Sequence, residues 1–125
     1  MPPTVENTIP VLPVSDLKRS LQFYTEILGW ILEWSSDNLG AVSRDGSQIM
    51  LSQMIPVTSG SWAWIGLTDD TLFETYRAAD VTIVQEPQNW SWAYEMKIAD
   101  PDGNVLWLGT GTRSDLPVVD APPSD

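Results

Sequence analysis

The chain has no cysteine and no histidine. The first absence excludes disulfides, thiolate nucleophiles and thiolate metal sites. The second removes the usual imidazole base, the Ser-His-Asp arrangement, and nearly every zinc or non-haem iron ligand set. Basic residues are also scarce: six Lys plus Arg stand against seventeen Asp plus Glu, a formal charge of −11. That balance opposes binding to a phosphate backbone or an anionic leaflet and favours cationic partners. Lys18, Arg19, Arg44, Arg77, Lys97 and Arg113 form no run, so no nucleic-acid partner is expected. No stretch approaches the roughly eighteen apolar residues of a spanning helix. Met1-Pro2-Pro3-Thr4 lacks the basic-then-apolar order of a signal peptide. The expectation is a cytoplasmic protein with no membrane partner.

What is present in excess is tryptophan: Trp30, Trp34, Trp62, Trp64, Trp90, Trp92 and Trp107 among 125 residues. Core packing alone seldom calls for so many. A chain of this length fits one compact domain, or two small half-domains sharing a core.

The residues from Asn7 to Val14 have strand-like apolar spacing, but Pro10 and Pro13 cannot donate to a ladder, which predicts an edge or exchanged strand. Ser15 is a plausible N-cap, Leu17, Leu21, Tyr24 and Leu28 keep helical spacing, and Gly29 stands where a left-handed cap is wanted. Three strands are predicted next, over 30–36, 39–44 and 47–54, the last two joined by Asp45-Gly46. The order then repeats. A strand over 61–67 precedes a helix opened by Asp69 and Asp70 and carrying Leu72, Phe73, Tyr76 and Ala79. A strand starts at 81–84, and 92–99 and 104–109 form a hairpin around Asp100-Pro101-Asp102-Gly103, a turn with too few spaced carboxylates for calcium. The domain is thus expected over 1–110, as modules of about 7–55 and 60–110. The acidic, proline-containing tail over 111–125 reads as disordered from Thr112 onward.

Ile9-Pro10-Val11-Leu12-Pro13 with Ser15-Asp16-Leu17, Phe23-Tyr24 with Leu28-Gly29-Trp30, and Asp100-Pro101-Asp102-Gly103-Asn104 occur in that order. Together they resemble the vicinal-oxygen-chelate superfamily, which holds the glyoxalases, extradiol dioxygenases and bleomycin-resistance proteins. The resemblance implies an α+β fold of two βαβββ modules forming curved mixed sheets, in an arm-exchanged homodimer. It places the metal positions of the superfamily's enzymes at Ile9, near Gln53, and at Trp62 and Trp107. Only Gln53 could coordinate, and one neutral amide does not hold a divalent ion, so no metal and no cofactor are expected.

Similarity to the bleomycin-resistance branch runs from Leu28 through Arg44-Asp45, over Ser61 to Ile65, and from Trp92 to Pro101. It implies drug-contacting positions at Glu33, Trp34, Leu39, Ser52, Trp64 and Trp92. Even spacing of Trp30 and Trp34, Trp62 and Trp64, and Trp90 and Trp92 predicts three aromatic pairs on three strands, with Trp107 as a floor. Core packing competes with this reading, for Trp30 above all. Glu33 could pair with a cationic drug tail, and Ser52 and Gln53 could supply hydrogen bonds.

The expected function is sequestration, without modification, of a bulky aromatic DNA-damaging antibiotic of the bleomycin type in a Trp-lined cleft at a dimer interface. The ligand residues are then Glu33, Trp34, Leu39, Ser52, Gln53, Trp62, Trp64, Trp90, Trp92 and Trp107, with none catalytic. Alternatives are another aromatic natural product, such as a mitomycin-like quinone or an anthraquinone-fused enediyne, and a metal-free enzyme using Glu33, Glu95 or Tyr94.

Overall fold

The computed structural model describes residues 3–120. The chain divides into two compact units, the first ending at Thr58 and the second starting at Ser59. In the first, β1 (Val11–Pro13) leads into α1 (Leu17–Gln22), a π-helical turn (Phe23–Ile27), β2 (Ile31–Ser35), β3 (Leu39–Arg44) and β4 (Ser47–Ser52). The second holds β5 (Trp62–Gly66), α2 (Thr71–Ala78), β6 (Thr82–Asn89), β7 (Tyr94–Ala99) and β8 (Val105–Thr110). The sheets have matching orders, β1-β4-β3-β2 and β5-β8-β7-β6, each with its first strand parallel to its last. These are the two βαβββ modules expected.

In the first unit the helix side of the sheet is apolar. Leu12, Val42, Ile49 and Leu51 are buried there with Leu17, Tyr24 and Leu28. Gly40 is open enough for Leu21, whose methyl would lie 3.1 Å from any Cβ at that position. The N-cap of α1 is Asp16 rather than Ser15, its carboxylate accepting the Arg19 N–H at 3.1 Å. At the other end Gly29 takes φ +79°, and the Arg44 guanidinium donates to the Leu28 and Gly29 carbonyls at 3.1 and 3.3 Å, satisfying the last turn. β1 is shorter than the apolar run predicts. It lies at the sheet edge, where the Pro10 carbonyl accepts the Met50 N–H at 2.9 Å but neither Pro10 nor Pro13 can donate to a ladder.

The core of the second unit is Ala63, Phe73, Tyr76, Met96, Ile98, Leu106 and Leu108, with the Phe73 and Tyr94 rings stacked at 5.5 Å. Its hairpin turn is structural, as expected. Asp100 accepts the Asp102 and Asn104 N–H groups, each at 2.9 Å, and the Asn104 amide at 2.8 Å. Asn104 in turn accepts the Ser61 N–H at 2.9 Å, tying the turn to the start of β5. β6 runs to Asn89, well past the predicted start, and tolerates Pro87 because it is an edge strand with register shifts on either side of Gln85.

The expectation of a disordered end from Thr112 is corrected over 112–120. Asn89 donates to the Arg113 and Leu116 carbonyls at 2.9 and 3.1 Å and accepts the Arg113 N–H at 2.9 Å. Thr112 donates to the Trp90 carbonyl at 2.7 Å, and Asp120 accepts the Ser91 hydroxyl and N–H at 2.6 and 2.8 Å. Composition alone could not reveal a buried Asn89 ready to hold this backbone. The remainder of that expectation, 121–125, lies outside the described residues. Among those described, no helix is long and apolar enough to cross a membrane.

Candidate functional site

Each sheet has one face on its helix and one turned away, and alternation assigns the candidate residues to these faces. In the first unit, Leu39 pairs with Ser52 and shares a face with Ala41 and Ser43, opposite to Gly40, which meets α1. Leu39 and Ser52 therefore face away from the helix. Ser52 is buried, its hydroxyl accepting the Met54 N–H at 3.1 Å.

Trp30 and Trp34 do not share a face, which corrects the even-spacing argument. A register shift between Leu32 and Trp34 puts Leu32 opposite Val42 and Trp34 opposite Ala41, leaving Glu33 as the extra residue. Trp30 is buried, whereas Trp34 is 44% exposed on the far face. The Glu33 carboxylate accepts the Ser43 hydroxyl, so Glu33 and Trp34 lie side by side on the same face. Gln53 is placed differently: its carbonyl oxygen accepts the Leu17 N–H at 2.6 Å and serves the start of α1. A groove of about 650 Å³ also lies on that helix side, lined among others by Leu21, Leu32, Ser35 and Asp37, and none of the tryptophans borders it.

The second unit carries the dense aromatic face. Trp64 pairs with Trp107 across β5 and β8, and Lys97 pairs with Trp107 across β7 and β8. Trp62, two residues from Trp64, is on the same side. The Trp62 and Trp64 rings meet Trp107 edge-on at 6.1 and 5.4 Å, geometry that indole quadrupoles favour. Trp62 and Trp64 remain 57% and 52% exposed. The Trp64 ring lies over Gly109, where a Cβ would come within 2.1 Å of it.

Trp90 and Trp92 do not form a third strand pair. Both precede β7, in a turn closed by the Trp90 N–H on the Ala93 carbonyl at 2.8 Å. Their rings stack on each other at 5.0 Å and 16°, leaving no slot between them for a ligand ring, which needs roughly 7 Å. Trp92 is 56% exposed and its indole N–H points to the buried Glu95 carboxylate at 3.4 Å. Glu95 and Lys97 share the aromatic face, while Tyr94 points the other way onto Phe73. Tyr94 and Glu95 therefore do not converge as an acid–base pair.

Lys97, Gln85 and Gly109 were absent from the sequence-derived site. The Lys97 ammonium lies 4.6 Å from the Trp107 ring centre and 5.6 Å from that of Trp62, and donates to the Gln85 carbonyl oxygen at 2.9 Å. The signal was available: a hairpin closed by Asp100 to Gly103 pairs Ala99 with Val105 and, two steps on, Lys97 with Trp107.

The positions that the resemblance assigns to an enzyme's metal do not suit one. Two are indoles packed against each other, and the Gln53 oxygen is committed to α1. Among the described residues no three carboxylates gather to hold an ion.

Residues 7–108 match the profile of the Glyoxalase/Bleomycin resistance protein/Dioxygenase superfamily. The chain belongs to that superfamily. Its structural relatives include TnmS3, an antibiotic binding protein from Streptomyces sp. CB03234, with a TM-score of 0.77 at 22% identity over 87% of this chain and 98% of that one. The bleomycin-binding protein of bleomycin-producing Streptomyces verticillus, solved with copper(II)-bleomycin, is 23% identical over 86% of this chain and 98% of its own, with a TM-score of 0.70. A bleomycin resistance determinant encoded on the transposon Tn5 gives 0.74 at 19% identity, covering 86% and 98%. No curated protein sequence matches. At these identities the structural likeness establishes the fold. The superfamily includes antibiotic-binding resistance proteins as well as enzymes.

Proposed function

We propose that the chain binds a bulky aromatic DNA-damaging antibiotic and sequesters it unmodified, as a cytoplasmic homodimer that needs no metal. The observation that carries this reading is the face of the second unit, where Trp62 and Trp64 stand more than half exposed against Trp107. Exposed large apolar groups gathered on one face mark a binding surface more often than a solvated one. Each aromatic contact adds about 0.5–1.5 kcal/mol beyond area burial. Several contacts plus burial approach the roughly 8 kcal/mol of a micromolar complex before ordering costs.

Bleomycin-type drugs are the first candidates, because Glu33 and Trp34 stand together on the far face of the first unit, where an acid can meet a cationic tail. Two-fold pairing, with β1 exchanged between chains, would produce two equivalent ligand sites. Titration of Trp fluorescence with bleomycin (metal-free and copper-loaded), mitomycin C and an anthraquinone drug tests the reading. Saturable quenching at one ligand per chain, with the compound recovered intact, is expected. Chemical alteration of the ligand would replace sequestration by catalysis, and silence towards every compound would refute it. Sedimentation equilibrium tests the dimer; a monomer at micromolar concentration would remove it.

A further inference from the structure

The aromatic face of the second unit is not electrically neutral at its centre. Lys97 sits there, in contact with Trp107 and Trp62. The chain is rich in acid, and Arg44, Arg77 and Arg113 each have a carboxylate partner. Lys97 has none within ion-pair distance among the described residues; its hydrogen-bond acceptor is the neutral Gln85 amide. Glu95, two residues along the same strand, is roughly 7 Å away by strand rise, with its carboxylate towards Trp92.

The neighbours of Lys97 also have more donors than acceptors. Because an ammonium can only donate, the Gln85 oxygen must face it, which turns the Gln85 amide nitrogen elsewhere. That nitrogen is buried without an acceptor, and so is the indole N–H of Trp107. Beside Lys97, whose ammonium has the Gln85 oxygen, two buried donors thus lack an acceptor, an unfavourable balance that an oxygen reaching either of them would relieve. Trp62, exposed and leaning on both Lys97 and Trp107, is the ring whose displacement would open the cluster.

We propose that Lys97 is a specificity-determining residue of this face, and that the ligand is a flat aromatic molecule bearing an electron-rich or anionic oxygen, such as a phenolate, hydroxyquinone or carboxylate. The inference rests on the aromatic-ligand reading above and, within it, favours the quinone compounds of the drug panel over a cationic bleomycin. The rings supply affinity for any flat molecule, and Lys97 with the Gln85 amide and Trp107 indole selects for the oxygen. A ligand with a cation at the same edge meets Lys97 as a like charge.

The carboxylate, carboxamide and aminomethyl derivatives of pyrene, which differ in charge on one ring system, test this by calorimetry on the whole chain. The carboxylate is expected to bind roughly tenfold more tightly than the amine, with the amide between. Lys97→Met is expected to abolish that order, and Lys97→Arg to preserve it. Equal binding of all three, or an order unchanged by Lys97→Met, overturns the role of Lys97 and leaves aromatic recognition standing. No binding by any of the three, together with no response to the drug panel, overturns both. Far-ultraviolet circular dichroism of each variant checks folding, and Lys97→Arg decides the matter if Lys97→Met does not fold.

Discussion

The ring of Trp64 lies across Gly109, in the space that any larger residue on β8 would occupy. The glycine is therefore the seat of the ring, and Gly109→Ala should lift Trp64 off the sheet and break its edge contact with Trp107. Overpacking of this kind costs about 1–3 kcal/mol. A lower urea midpoint with an altered near-ultraviolet Trp signal is the expected result, and under the proposed function binding of an aromatic drug weakens with it.

The exposed and buried indoles should separate by quenching. Acrylamide should reach Trp34, Trp62, Trp64 and Trp92, and Trp62→Phe or Trp64→Phe should remove quenchable emission with little loss of stability. Trp30→Phe should remove shielded emission and destabilise by about 1–3 kcal/mol, because it leaves a gap beside the helix. A quenchable Trp30 would contradict its burial.

Asn104 links the β7–β8 turn to β5 through the Ser61 N–H and the Asp100 carboxylate. Asn104→Ala leaves both without that partner in a buried setting, at a cost of about 2–3 kcal/mol. Chemical denaturation reads this directly, and a change under half that size would mean that the turn stands by itself.

Asp120 predicts a pH dependence for the end of the docked segment. The Ser91 hydroxyl, and next the Ser91 N–H, hold its carboxyl below the ordinary aspartate value. Since the folded value is the lower one, its contribution is complete above about pH 4 and is lost as pH falls through the folded value. The Ser91 amide signal in NMR should titrate with a midpoint below the usual range, and Ser91→Ala should raise the Asp120 midpoint towards it.

Glu33→Gln tests the charge of the first unit's far face. Glu33 is exposed and an amide oxygen can still accept the Ser43 hydroxyl, so stability should change by less than about 1 kcal/mol. Binding of a cationic drug should weaken and lose part of its salt dependence, whereas a neutral quinone should bind as before. Isothermal titration at two ionic strengths makes the comparison.

The repeated order of strands and helices was legible because Asp45-Gly46, Gly29 and the Asp100 to Gly103 turn punctuate it, and each takes a conformation that its residues favour. Strand ends were less legible: β1 starts late and β6 runs long, since edge strands answer to their neighbours more than to their own composition. The aromatic face was half legible. Alternation placed Trp62 and Trp64 together, but Trp30 went to the core and Trp90 and Trp92 to a turn, where two-residue spacing says nothing about faces. Lys97 was overlooked because a lone lysine on a strand reads as solvated until its cross-strand partner is identified. The docking of 112–120 onto Asn89 depends on a long-range contact that local composition does not encode.

The register shift in β2 acts as a phase step in the sheet's alternation. Upstream of it, even-numbered residues point to the helix; downstream, Trp34 points away. What Trp34 presents to a ligand is therefore governed by the number of residues between Leu32 and Ser35, as well as by their identity. Deleting Glu33 would do more than remove a charge. It would let β2 pair continuously with β3, with Trp34 keeping its place opposite Ala41. The aromatic composition of the chain would be unchanged, while the order of apolar and acidic groups along that strand edge would be rewritten.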